Sequence, residues 1–191
     1  MLDLIFIPLL LVYFGILTCL FLYGANFLHL TLVALFSRRP DPPALAPDAW
    51  PHVTVQLPVY NEMYVAKRLI DATAAIDYPA GRMTIQVLDD STDETSAIVQ
   101  EATEHWRRRG IDVVHVRRSE RTGFKAGALA NGLRLSRDEY VAMFDADFIP
   151  TRDFLKRTIA VLNADSGLAF AQTRWGHINR GHSLLTMLQS L

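Results

Sequence analysis

From residue 53 onward, short β-rich runs alternate with stretches of helical spacing, and no other feature limits the possible folds so strongly. The β-rich runs lie at 53–57, where Pro58 is expected to end the strand, and at 84–88, 112–116, 140–144 and 167–172. Between the first two, Val65, Leu69, Thr73 and Ile76 recur at steps of four and three, one face of a helix that Asn61 could cap. Ser91, with Glu94 three residues on, has the capping-box form and opens a helix toward Trp106. Further helices are expected at 123–135 and 154–163. Strands alternating with helices imply βαβ units, hence an α/β fold with a mostly parallel sheet covered by flanking helices. Such sheets take ligands in the crevice outside the carboxyl ends of their strands. Residues that do chemistry should therefore follow strands. Tyr60, Asn61 and Glu62 follow the first, Asp89 and Asp90 the second, and Asp145 and Asp147 the fourth.

The first forty residues are of another kind. Residues 4–23 are almost continuously apolar, and the apolar character continues through 28–36 with Asn26 and His29 as interruptions. About twenty helical residues span the roughly 30 Å hydrocarbon core of a bilayer. A cleaved signal peptide would need a basic start and a shorter apolar core, whereas this start carries Asp3 and no Lys or Arg. The segment reads as an N-terminal transmembrane helix. Arg38 and Arg39 follow it, and the positive-inside bias then puts the globular part in the cytoplasm. Four prolines at 40, 42, 43 and 47 make a stiff linker. The expected organisation is an anchor at 1–37, a linker at 38–51 and an α/β domain at 52–191, incomplete at its C-terminus. The chain stops within the helical pattern of Leu184, Leu185, Leu188 and Leu191, which reads as a truncation.

A formal net charge of -1 provides no global field for nucleic acid. The lone cysteine, Cys19, excludes an intramolecular disulfide. The histidines show no metal-ligand spacing, and there is neither a nucleophile elbow nor a phosphate-binding G-x-x-x-x-G-K-[ST] loop.

The chemistry is concentrated in a few carboxylates and one lysine. Asp145 and Asp147 stand two apart in what reads as an extended run, which would aim both side chains the same way. Hard divalent cations such as Mg²⁺ or Mn²⁺ prefer oxygen ligands, and one or two carboxylates with substrate phosphates suffice for Mg²⁺. Asp89 and Asp90 follow a buried strand and need partners there; a nucleobase N–H is one, a helix N-terminus another. Lys125 lies at a helix start, where backbone N–H groups and the helix dipole favour phosphate.

Four strings in order, P-V-Y-N-E at 58–62, V-L-D-D-S-T-D at 87–93, G-F-K-A-G-A-L at 123–129 and F-D-A-D-F at 144–148, resemble the family 2 glycosyltransferases of GT-A (Rossmann-like) fold. The stretches 86–95 and 125–129 look like the cellulose synthase-like glucan and mannan (glucomannan) synthases. The resemblance implies a membrane-bound, inverting hexosyltransferase acting on a nucleotide-sugar of UDP-glucose or GDP-mannose type, with a polysaccharide or lipid as acceptor. Tyr60, Glu62 and an aspartate of the pair Asp89 and Asp90 would hold the nucleoside. Lys125 would touch the diphosphate. Asp145 and Asp147 would hold the metal, Asp145 also the donor. The family's catalytic base belongs to a T-E-D-type motif that this sequence lacks, so it is expected beyond Leu191, leaving donor binding with little or no transfer. Q-T-R-W at 172–175 is one residue short of the processive Q-x-x-R-W and resembles a different, earlier Q-x-R-W segment. Few lysines and many arginines and alanines suggest a GC-rich bacterial genome, hence the bacterial inner membrane. Two other readings stay open, a sugar nucleotidyltransferase and a non-catalytic nucleotide-sugar-binding membrane protein.

Overall fold

The structure, a computed structural model, describes residues 3–37, 50–173, 176–178 and 181–189. It divides into two compact units, Met1–Asp41 and Pro42–Leu191. The arginine pair and most of the proline linker lie outside the described residues, as do Arg174 and Trp175.

The first unit is a single helix, α1 (Asp3–Phe36). Its 34 residues, at 1.5 Å each, make roughly 50 Å. The side chains from Phe6 to Phe36 are all exposed. The hydroxyls of Thr18 and Thr31 donate to the carbonyls of Phe14 and Phe27 one turn back, at 2.8 and 2.9 Å, which satisfies them without water. By length and composition this helix could cross a membrane.

The second unit holds a sheet of β1 (Val53–Val59), β2 (Met83–Asp89), β3 (Val113–Arg117) and β4 (Tyr140–Met143). The helices are α2 (Ala66–Ala74), α3 (Thr95–Arg107), α4 (Phe124–Leu135), α5 (Phe154–Ala164) and α6 (Leu184–Gln189). All strand pairs are parallel, in the order β3-β2-β1-β4. The chain winds outward from β1 to β3 and then returns, through α4, to the other side of β1. That reversal makes the junction of β1 and β4 the topological switch point.

The two faces of the sheet differ in chemistry. Val53, Val55, Leu57, Val59, Ile85, Val87 and Val113 alternate onto one face and form the core with Leu69, Ile70, Val99, Leu155 and Ile159. On the other face Gln56 and Gln86 are buried and hydrogen-bonded to each other at 3.1 Å. Thr54 bonds Ser136 and Asp138 just past α4. Gly132 brings α4 down on this pair: a Cβ there would meet Gln56 Nε2 at 2.7 Å and Gln86 Oε1 at 2.8 Å.

Four local expectations are corrected. β1 runs through Pro58 to Val59. The carbonyl of Gln56 faces β4, where it accepts from Phe144, so Pro58, two residues on, turns its missing N–H to the side β4 has already left. Asn61 does not cap α2, which begins at Ala66 without a side-chain cap; Asn61 has φ 55° and serves the neighbouring loop. The Ser91–Glu94 capping box is not formed: the Ser91 hydroxyl accepts from the Asn61 N–H at 3.0 Å, and Asp93 accepts from Thr95 N. Residues 167–172 form no strand. Leu168 and Phe170 are exposed there, and a short apolar run without β-branched residues makes a strand only where a neighbour completes the ladder.

Candidate active site

The loops at the carboxyl ends of β1, β2 and β4 and the start of α4 bring most of the expected residues to one rim. After β1, Asn61 uses its left-handed backbone to aim its N–H at Ser91 and its side-chain oxygen at Thr92 N, 3.0 Å each. This ties the loop after β1 to the loop after β2. The Glu62 carbonyl accepts from Val65 and Ala66 to start α2, and its side chain stays exposed.

Asp89 and Asp90 have separate tasks. The Asp89 side chain is wholly buried. It accepts from Ser91 N at 2.8 Å and pairs with His115 Nε2 at 2.8 Å. Burial alone would raise its pKa, but hydrogen bonds from His115, Ser91 and Ser96 outweigh that and hold it well below the usual carboxylate range. Its oxygens are spent on fixing the loop. Asp90 stands at the rim with its side chain 7% exposed and takes a two-pronged bond from Arg118, Nε to Oδ1 at 3.0 Å and Nη2 to Oδ2 at 2.5 Å.

Arg118 follows β3 and also donates to the carbonyls of Thr122 (2.9 Å) and Phe124 (3.1 Å), so one guanidinium joins the end of β2 to the turn that begins α4. Hydrogen bonding to Asp90 raises its pKa further. That turn contains Gly123 with φ 71° and Phe124 with φ 49°. Gly127 lies so close to it that a Cβ would stand 2.0 Å from the Thr122 oxygen. Arg121, in the same turn, lays its guanidinium 3.3 Å over the Tyr60 ring. Lys125 forms an ion pair with Asp145, both half-exposed.

Asp145 and Asp147 do not share an extended strand. β4 has ended at Met143, and the two lie in a turn closed by Phe148 N to Asp145 O at 3.0 Å. Asp147 is exposed and its carboxylate has no partner among the described residues. No three acidic, histidine or cysteine side chains gather as a metal cage among the described residues. The pair therefore offers two solvent-reachable carboxylates and leaves the remainder of a cation's shell to other ligands.

The sequence pattern does not single out Arg118, Arg121 or His115. The rule that functional polar residues follow strands, extended to β3, would have marked Arg117 and Arg118. His115 faces inward by simple alternation from the buried Val113.

A parallel sheet with acidic side chains beyond its strand ends at a switch point, and a lysine-bearing helix start beside them, defines an α/β protein of GT-A type. Residues 54–186 match the model of the family described as Glycosyl transferase family 2, and the chain belongs to that family. A probable glucomannan 4-beta-mannosyltransferase 11 of Oryza sativa is 44% identical over 75% of this chain and 26% of its own length. Glucomannan 4-beta-mannosyltransferase 7 of Arabidopsis thaliana is 40% identical over 83% of this chain and 31% of its own length. The chain thus spans about a third or less of these relatives. A mannosyltransferase from Pyrobaculum calidifontis, solved in complex with GDP-Man and Mn²⁺, superposes with TM-score 0.61 at 32% identity over 73% of this chain and 40% of that one. TarS of S. aureus in complex with UDP-GlcNAc shares the fold at TM-score 0.52 and 24% identity, over 59% of this chain and 31% of that one.

Proposed function

We propose that this chain is the donor-binding portion of a membrane-anchored, inverting hexosyltransferase that uses a nucleotide-sugar to extend a polysaccharide or a lipid-borne glycan. The observation that carries the reading is the meeting, at one rim, of the loops bearing Tyr60, Glu62, Asp90, Lys125, Asp145 and Asp147, each in its family string. The nucleoside lies against Tyr60, with Glu62 and Asp90 accepting from its N–H and O–H groups, while Asp89 acts from beneath by holding the loop. Lys125 neutralises Asp145 before the donor arrives and takes the diphosphate's charge afterwards. Asp145 and Asp147 suit a hard divalent cation, whose shell the donor's phosphates complete. Such an ion, when bound, acts as a Lewis acid toward the departing nucleoside diphosphate.

GDP-mannose is the favoured donor, because the relatives are named as mannosyltransferases and the archaeal neighbour was solved with GDP-Man and Mn²⁺. Mn²⁺ in that neighbour supports a divalent ion here without choosing between Mn²⁺ and Mg²⁺. α1 supports attachment to a bilayer, with the globular part on the arginine-bearing side of the helix. The glucomannan mannosyltransferase relatives come from plants and do not favour the bacterial inner membrane.

Calorimetric titration of the detergent-solubilised chain with GDP-mannose and UDP-glucose, each with Mn²⁺, tests the reading. GDP-mannose should bind about tenfold more tightly, or about 1.4 kcal/mol. Equal or reversed affinities would overturn the donor preference, and no binding of either would overturn the function. Little or no sugar transfer is expected from these residues, since no T-E-D motif is present; measurable turnover would show that the base lies within them.

A further inference from the structure

The face of Tyr60 is already filled. The Arg121 guanidinium carbon sits 3.3 Å from the ring centroid, a full stacking contact, and 5.0 Å from the ring of Phe124. Tyr60 is 40% exposed and is the aromatic platform expected to receive the nucleobase, yet no base can share the face that Arg121 covers. Arg121 is also the odd one of the three arginines at and beyond the end of β3. Arg117 donates to the Ser91 carbonyl at 2.9 Å and lies 3.9 Å from Asp89. Arg118 is saturated by Asp90 and two carbonyls. Arg121 pairs with no carboxylate among the described residues, and its Nε is buried without a hydrogen-bond partner. A buried, unpaired guanidinium N–H is costly, and an incoming anion would relieve it. It stands four residues before Lys125, on the turn that opens α4.

We propose that Arg121 is a displaceable occupant of the base platform: the donor's nucleobase takes its place on Tyr60, and the freed guanidinium closes on the donor's diphosphate beside Lys125. This rests on the donor-binding reading above and adds a coupling to it. The stack holds the platform in shape when the site is empty, and only a ligand with both a base and a phosphate gains from displacing it. A bare nucleoside has to evict Arg121 without offering it an anion. The device selects nucleoside diphosphates over nucleosides beyond the contribution of Lys125.

The test uses guanosine and GDP, both with Mn²⁺, on the full chain and two variants. R121K keeps the charge but loses the planar stack. R121Q keeps a planar group but loses the charge. For R121K, guanosine should bind several-fold more tightly than to the parent while GDP stays within about threefold, since a point charge still reaches phosphate. For R121Q, guanosine should stay within about threefold while GDP weakens about tenfold, the loss of a charge-assisted bond. Equal fold-changes for guanosine and GDP in R121Q, or unchanged guanosine affinity in R121K, would overturn the proposal and leave the donor site standing. A parent that binds neither ligand would remove the donor reading and this proposal together. Urea midpoints matching the parent's establish that the variants are folded.

Discussion

Alanine at Gly127 sets two effects of opposite sign against each other. In a helix interior, Gly→Ala is favourable by about 1 kcal/mol. Here the new Cβ would lie 2.0 Å from the Thr122 oxygen, 2.7 Å from Arg118 Nη1 and 3.1 Å from the Thr122 carbonyl carbon. Non-bonded contacts settle near about 3.5 Å, so the Thr122 carbonyl has to retreat by more than an ångström. That carbonyl accepts from Arg118 at 2.9 Å. Overpacking costs about 1–3 kcal/mol and a hydrogen bond to a charged group about 1.5–3 kcal/mol. This bond is solvent-exposed, so the low end applies. The steric terms exceed the propensity gain and leave a net loss of about 2 kcal/mol. Trp50, Trp106 and Trp175 all lie outside α1, so tryptophan fluorescence reports the globular unit alone. The urea midpoint should fall by about 1 M. GDP affinity should fall as well, because Lys125 and Arg121 ride on the displaced turn. A variant as stable as the parent would refute the argument, since the turn could not then press on α4 as described.

Arg118→Met leaves the Asp90 carboxylate, only 7% exposed, without its partner, and should cost about 2–4 kcal/mol, less than a fully buried pair because the site is at a rim; a loss under about 0.5 kcal/mol, in the range of an exposed pair, would contradict the knitting role given to this guanidinium. Asp89 has a depressed pKa, so its contribution to stability is complete above the unfolded value near about 4 and is lost as pH falls below it. Asp89→Asn should therefore flatten the decline of the urea midpoint below about pH 4, and an unchanged slope would show that another group carries it. Gly132→Ala presses on the buried Gln56–Gln86 pair, whose side-chain ends have more freedom than a backbone carbonyl, so its midpoint should fall less than that of Gly127→Ala; a larger fall would reverse the assignment of which contact is rigid.

The β-rich runs and helical spacings located the four strands and helices α2 to α5 to within a few residues, because strands buried on both faces of a parallel sheet leave short continuous runs and helices buried on one face leave a period, both of which local sequence carries. What local sequence does not carry is pairing. Residues 167–172 are a short apolar run with no adjacent strand, whereas β1 extends through Pro58 because β4 ends two residues too early to need its N–H. Caps failed for a similar reason. Asn61 and Ser91 have capping side chains, yet each is closer to the other's loop than to its own helix, and the contact across 30 residues prevails. At the rim, the strand-end rule points to the acidic residues, and the helix start to Lys125. It could not tell that Asp89 points inward and Asp90 outward, because adjacent residues of a strand face opposite ways and only the fold decides which side is the cleft. Arg118 and Arg121 were hidden because a surface arginine and one joining two loops look alike in sequence.

In the proposed function, the two exposed carboxylates in the turn after β4 hold a divalent ion together with a nucleoside diphosphate. Titrating GDP into the full chain with Mn²⁺ and with EDTA, for the parent and Asp147→Ala, measures that directly. The parent should bind at least about tenfold more tightly with Mn²⁺, and the variant should lose that increment while keeping the parent's affinity in EDTA. A variant that binds the Mn²⁺–GDP complex as tightly as the parent would contradict the account.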